Sequence, residues 1–407
     1  MTPLGIAIAG CGPAGLAAAL LLHRDGHDVT LFERFDAPQP IGSGLMLQPT
    51  GLAVLAQLGL ADTVIRYGAR VDRLIGKTGN VERSVLDVRY AALGSSAGFG
   101  VGIHRASLFS ALYDAVTCAG ISIATTRTIV GSSLEAAKRR LAFNDGDASE
   151  PFDLVVDALG TRTPLAPPTG RPLAYGALWA NLDWPADGFD GAALEQRYRR
   201  ASRMVGVLPI GTPSGSARAK AAFFWSLRAD QVDEWHRRGM VAWKAEVLEL
   251  WPACAALLEQ IDDPDQLVFT RYAHRTLPRP AEPALIHLGD AWHSASPQLG
   301  QGANMALLDA WALAKGLRES ENLPDALAKA VATRVRHIRL YQALTALFTP
   351  VYQSDSIVLP FVRDRLVGPL SKLWPAPWIQ AAMVSGLIGN PLGPLGLAAA
   401  SSLSAGC

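Results

Sequence analysis

The hexapeptide GCGPAG, with glycines at positions 10, 12 and 15, constrains this chain more than any other stretch. A strand-like apolar run at 4–10 precedes it, and a helix-like run at 13–26 follows and stops at Gly26. A second strand-like run at 28–35 carries Glu33, 23 residues after Gly10. Strand, glycine turn, helix and strand in this order predict a βαβ unit built to hold a dinucleotide. Gly10 permits the tight turn, Gly12 lets backbone amides approach a pyrophosphate, and Gly15 lets helix and strand pack closely. Pro13 and Ala14 open the helix, whose N-terminus places partial positive charge at the phosphates. Glu33 is expected to accept hydrogen bonds from the adenosine ribose. Arg34 either packs against the adenine or lies on the surface. This turn alone leaves NAD and FAD both open.

A second glycine turn lies almost 300 residues later, in GDAWHSASPQLGQGAN at 289–304. Asp290 follows a strand-like run, at the strand end where open α/β sheets bind ligands, and can hold a ribityl hydroxyl. Pro297 fixes the loop, and Gly300 and Gly302 let backbone lie against a flat ring. A helix from about Ala303 aims its first amides, with Asn304 in that turn, at the pyrimidine edge of a flavin. The pair of turns therefore points to FAD. His293 is read as ordering this loop rather than transferring protons, and His23, His27, His236 and His337 as surface residues. No catalytic side chain is assigned, since the cofactor carries the difficult step.

Taken together, GCGPAG with Glu33, IHRASLFSAL, DLVVDALGTRT and GDAWHSASPQLGQGAN resemble the class A flavoprotein monooxygenases, the aromatic hydroxylases of the para-hydroxybenzoate hydroxylase type. The resemblance runs from residue 1 to about 365. It implies one tightly held FAD, reduction by NADPH or NADH, and hydroxylation or epoxidation through a flavin hydroperoxide. It places Arg105 near the ribityl or pyrophosphate region, and Gly44 and Leu45 along the ring near the substrate. One departure stands out. Where the family usually reads GADGxxSxVR, this chain reads DALGTRTPL, with Leu159 in place of the Asp and Thr163 in place of the Ser. A leucine accepts no hydrogen bonds, so altered or weakened nicotinamide-driven reduction is expected. The departure keeps alive an FAD-dependent reductase, oxidase or non-redox cyclase. A flavoprotein halogenase is disfavoured, because FFWSLR is not the W-x-W-x-I-P motif.

The expected fold is α/β. A Rossmann-type FAD-binding domain (1–167 with 282–345) carries an inserted antiparallel-sheet substrate domain (168–281) and a helical, apolar C-terminal segment (346–407). Met204, Val207, Phe223 and Trp225 are candidates for the substrate wall, with only about half able to face one side of a sheet. Few polar residues fall there, so an apolar or aromatic substrate is expected. Lys plus Arg (37) balances Asp plus Glu (36), which argues against nucleic acid as a partner. The four cysteines form no CxxC, so neither a metal site nor a disulfide framework is expected, and the cytoplasm is the default. The last charge is Lys372, and Trp374 and Trp378 follow it. That segment reads either as a helical cap with a disordered tail or as a peripheral membrane contact flanked by Arg363, Arg365 and Lys372.

Overall fold

The computed structural model describes residues 2–37, 42–79, 83–96 and 98–399. Residues 400–407, the end of the expected C-terminal segment, lie outside them. The first βαβ unit forms as its glycines dictate. Strands β1 (Gly5–Ala9) and β2 (Asp28–Phe32) pair in parallel and are joined by α1 (Pro13–Arg24). Gly26, at φ 87°, closes the end of α1 by donating to His23 O. Strands β8 (Ser122–Ala124), β11 (Leu154–Asp157) and β18 (Leu285–His287) extend the parallel sheet, and β17 (Ala281–Glu282) adds an antiparallel edge. The spatial order is β17–β18–β11–β1–β2–β8. The carboxyl ends of β1, β11 and β18, from three widely separated segments of the chain, therefore come together at one edge of this sheet.

Helices α2 (Pro49–Gln57), α3 (Ala61–Tyr67), α4 (Arg105–Cys118), α7 (Gly302–Arg318) and α8 (Leu323–Tyr352) also serve this part of the chain; among them α4 and α7 pack against α1. A small sheet of β3 (Gly44–Leu47), β4 (Ala69–Val71) and β7 (Gly100–His104) borders it, and β9 (Ile129–Glu135) and β10 (Lys138–Phe143) form a separate hairpin.

An eight-stranded sheet makes the second layer. It comprises β5 (Arg73–Thr78), β6 (Arg83–Arg89), β12 (Arg171–Asp183), β13 (Ala193–Arg199), β14 (Arg203–Pro209), β15 (Lys220–Arg228), β16 (Val268–Thr276) and β19 (His293–Ser294). Their order is β19–β16–β12–β15–β14–β13–β5–β6. Two of these strands come from 73–89, long before the 168–281 stretch, and one comes from the second glycine turn itself. That turn is thereby stitched into both sheets. One face of the large sheet is covered by α5 (Val232–Leu250), broken at Gly239 (φ 76°), and by α6 (Ala255–Leu258). The chain ends in α9 (Val358–Val362), a π-helical turn at Arg363–Val367, α10 (Gly368–Leu370) and α11 (Ala376–Val384). Among the described residues no helix is long and apolar enough to cross a membrane.

Candidate active site

The first turn is shaped by close backbone approach. A Cβ on Gly15 would stand 2.0 Å from Gly10 O, and one on Gly10 (φ 102°) would stand 2.9 Å from Ala158 O. Gly12 is different: apart from its chain neighbours, its Cβ would meet only Ala158 O, at 4.0 Å. The space it preserves is not filled by protein, as a seat for a ligand phosphate requires. Glu33 stands just past β2. One of its carboxylate oxygens accepts from the amides of Arg34 (2.8 Å) and Phe35 (3.2 Å), and the other from Cys11 N (3.2 Å). Burial first, and Glu33 second, push the Cys11 thiol up to about 12, so it stays protonated. Arg34 is exposed, its guanidinium 4.5 Å from the Phe35 ring.

The second turn lies beside the first. A Cβ on Gly289 would meet Ala306 Cβ at 3.1 Å and Ala14 Cβ at 3.5 Å. Gly300 adopts φ 61°, and its nearest neighbours beyond the chain would be Gln48 and Met46 at 3.7–3.8 Å. Helix α7 starts at Gly302 without a side-chain cap, and a Cβ on Gly302 would meet nothing within 4 Å outside its own helix. Its first intrahelical bond is Met305 N to Gln301 O, so the amides of Gly302, Ala303 and Asn304 precede the ladder. The Asn304 side chain does not share that role. It is fully buried, accepting from Gln48 N (2.8 Å) and donating to Met46 O (3.1 Å) and Gly300 O (2.9 Å). It clamps the helix start to the end of β3; only its backbone amide remains for a ligand.

Between the turns stand Asp290 and Arg105. Both residues are exposed to solvent along part of their surface, and the protein around them and each other's charge both act on them. Burial raises the Asp290 carboxyl above its ordinary value against the opposing pull of His293 and Arg105. Burial likewise lowers the Arg105 guanidinium, with Asp290 opposing. A Cβ on Gly42 (φ 113°) would stand 3.2 Å from the Arg105 side chain, and Arg105 N donates to Ser43 O. Pro297 is exposed at the rim, and Leu45 pairs with Ile103 in the small sheet.

The loop carrying Asp290 is pinned from behind by a buried polar chain of which sequence reading found only His293. Asp309 Oδ2 accepts from Gly289 N (3.0 Å) and His293 Nε2 (2.6 Å), and its Oδ1 accepts from Arg334 Nε (2.8 Å). Arg334 also donates to His337 Nδ1 (3.1 Å), and His337 Nε2 donates to Gly386 O (3.1 Å). His337 is therefore no surface residue; its i, i+3 spacing from Arg334 on α8 was the available signal. His27 is also buried, accepting from Leu4 N (3.2 Å).

Across from Gly300 the large sheet presents its other face. A Cβ on Gly44 would stand 2.6 Å from Ala222 and Ile210, and Met46 packs with Leu208, Ile210 and Ala222. Alternation along β14 and β15 then fixes the rest. Val207, Phe223 and Trp225 point the opposite way, into the cluster formed with Trp235 and Trp243 of α5. These three of the four expected wall residues are therefore misplaced as substrate contacts. Met204 lies on the inner face, in one cluster with Phe224 and the partly buried Trp179 and Tyr272. Phe224 lies flat over Gly206, whose Cβ would meet its ring at 2.1 Å, and its centroid is 4.8 Å from Trp179. The phenols nearby stay protonated, and the Arg363 guanidinium lies 4.9 Å from the Tyr198 ring of the same cluster. Tyr90 donates to Gln48 Oε1 at 2.5 Å, and Tyr198 to Gln196 Oε1 at 2.7 Å. Burial raises the Tyr272 phenol against its hydrogen bond with Trp179.

The family model described as an FAD binding domain matches residues 4–150. Aurachin C monooxygenase/isomerase of Stigmatella aurantiaca is 25% identical over 91% of this chain and 95% of its own length. The 3-amino-4-hydroxybenzoate 2-monooxygenase of Streptomyces cremeus is 27% identical over 75% of this chain and 76% of its own length. Among solved structures, Klebsiella pneumoniae HpxO complexed with FAD and uric acid superposes with a TM-score of 0.80, at 19% identity, covering 95% of this chain and 98% of that one. That likeness establishes a shared fold.

Proposed function

This chain belongs to the class A FAD-dependent monooxygenases, and we propose that it hydroxylates or epoxidises a neutral, lipophilic aromatic molecule held between the second glycine turn and the inner face of the large sheet. The observation that carries this reading is the space left open at Gly12 and at Gly302, in two turns that meet where Gly289 faces Ala14, with the opposite charges of Asp290 and Arg105 beside them. Gly10, Gly12, Pro13, Ala14 and Gly15 would seat the pyrophosphate, and Glu33 the ribose. Arg105 and Asp290 would hold the ribityl chain, and Gly44, Leu45, Pro297 and Gly300 would border the ring. Bound FAD supplies the redox chemistry that activates dioxygen. The amides of Gly302, Ala303 and Asn304 would stabilise negative charge at the ring edge, and the apolar sheet face would exclude water.

Substrate contacts are assigned to Met204, Phe224, Trp179 and Tyr272, a set with no charged group among them. Parity gives a sharp contrast. Phe224→Ala should raise KM while leaving a yellow, folded protein. Trp225→Ala should cost about 3–5 kcal/mol of stability and leave KM unchanged in the protein that folds. Steady-state kinetics beside thermal melts separate the two; equal KM changes would put the wall on both faces.

NADPH or NADH is the proposed reductant, with a modification at Leu159. Its side chain packs against the cluster that contains Phe32, Ile129 and Leu165, while its amide donates to Asp157 Oδ1 (3.0 Å). The carboxylate sits two residues earlier than in the family pattern, buried and already engaged by Thr163 Oγ1 (2.6 Å) and His287 Nδ1 (2.6 Å). Stopped-flow mixing with either nucleotide should bleach the flavin slowly before substrate is added; rapid bleaching contradicts the modification. A lipophilic substrate also brings peripheral contact of the C-terminal segment with a membrane into this reading, supported by exposed Trp374 and Trp378. Reaction under labelled dioxygen tests the whole assignment. One labelled oxygen atom in the product supports it; turnover with no label in the product favours a reductase, oxidase or cyclase.

A further inference from the structure

The C-terminal segment divides sharply into a packed part and a bare part. Residues 381–397 are held in place: Ala381, Ala382, Leu392 and Leu395 are buried, Gln301 donates to Val384 O (2.6 Å), and Trp311 Nε1 donates to Leu395 O (2.9 Å). Residues 357–379 show the opposite character. Val358 is 69% exposed, Phe361 61%, Leu370 59%, Leu373 62%, Trp374 87% and Trp378 50%. Single exposed apolar residues are ordinary, but so many within one short stretch mark a docking face.

This face is held from below. Arg363 is not at its edge, as sequence reading expected, but fully buried. Its guanidinium lies 4.9 Å from the Tyr198 ring and 5.3 Å from the Tyr352 ring, and it donates to Arg200 O and Val351 O. It also neutralises Asp364, the one acid after residue 355. Arg365 and Lys372 remain exposed, and neither has an ion-pair partner among the described residues. The bare stretch is therefore apolar, tryptophan-bearing and net positive.

We propose that residues 357–379 dock on an anionic lipid surface, with Phe361, Leu370, Trp374 and Trp378 entering the headgroup boundary and Arg365 and Lys372 meeting lipid phosphates. Indole rings favour that boundary, and cations beside it are attracted by anionic headgroups. The unbroken helical run here covers only 358–370, through the π turn, and α11 adds 9 residues, so the segment lies on a surface rather than crossing it. A second copy is a poorer occupant. In a two-fold contact this patch meets itself, bringing Arg365 and Lys372 against their own copies with no free acid to pair them. The segment also packs on β6, the edge strand of the sheet whose inner face is assigned to the substrate, so docking would set that edge at the lipid. This inference deepens the lipophilic-substrate reading and rests on it for its purpose.

Flotation of the full-length, FAD-loaded enzyme tests it, using vesicles of phosphatidylcholine with phosphatidylglycerol against pure phosphatidylcholine. The wild type should float with the anionic vesicles and be released by high salt. Arg365→Gln with Lys372→Gln should weaken binding about 30-fold. Trp374→Ser with Trp378→Ser should abolish it. Flavin absorbance is read in every fraction, so a yellow protein that stays at the bottom overturns docking while leaving the flavin assignment intact. Unchanged binding in both double variants overturns it as well. Dimerisation that depends on Trp374 without vesicles gives the face to a second copy and likewise overturns the proposal.

Discussion

Gly12→Val should give a folded protein without colour. The backbone there is extended (φ −73°, ψ 175°), which valine adopts readily, and the added Cβ, chain neighbours aside, meets no protein atom closer than Ala158 O at 4.0 Å. What it occupies is the space reserved for the pyrophosphate. FAD binding should weaken by about 100-fold or more, roughly 3 kcal/mol on the affinity scale. Gly15→Val is the contrasting variant. Its Cβ would stand 2.0 Å from Gly10 O, so the first βαβ unit itself cannot close and soluble protein should be lost. Circular dichroism with FAD titration distinguishes the two. A Gly12→Val protein that retains flavin at wild-type affinity would mean that the phosphates lie elsewhere.

Asp309→Asn should be the most damaging single change outside the cleft. Asp309 is buried and receives Gly289 N, His293 and Arg334 together, so the substitution leaves a buried guanidinium without its counter-charge. Removing one partner of such a pair costs about 3–5 kcal/mol. The loop bearing Asp290 also loses its backing, so flavin should be released more easily. The pH dependence has a definite sign. Burial tends to raise the Asp309 carboxyl, but His293 and Arg334 outweigh it and hold it below the ordinary value. Its contribution is then complete above the unfolded carboxylate pKa of ~3.9 and is lost as pH falls through the folded one. The melting-temperature gap between wild type and Asp309→Asn should therefore be full at neutral pH and shrink only in strong acid. His337 adds a separate slope. Burial first, and Arg334 next, lower it from 6.5 to about 3, so it stays neutral in the fold. Between those values the unfolded chain takes up a proton that the folded chain does not, and stability falls as pH falls. A gap that already closes near neutrality would contradict this arrangement.

Both glycine turns were legible in the sequence because backbone approach leaves no substitute for glycine. Gly10, Gly15 and Gly300 are required by contacts or by positive φ, and those requirements appear as letters in the chain. The substrate wall was not legible. In KAAFFWSLR the residues from Ala221 to Leu227 are buried on both faces, one under α5 and one toward β3, so the strand shows no polar alternation by which to assign a side. Strands β13 and β16 escaped notice for the opposite reason. ALEQRYR and VFTRYAHRT carry charge within the sheet, and Arg197 and Arg275 are buried by tertiary contacts that no local pattern reports. His337 and Arg363 were misjudged on the same ground, since their partners lie on other elements. In each case the reading failed where a polar side chain is buried by a distant segment.

The central claim is that two backbone turns, nearly 300 residues apart in sequence, close on one FAD. The visible absorption spectrum of the purified full-length protein, before and after addition of FAD, tests it most directly. The expected result is a yellow protein with bands near ~375 and ~450 nm that survive desalting, as a tightly held flavin gives. Folded protein that stays colourless after incubation with FAD would contradict the account.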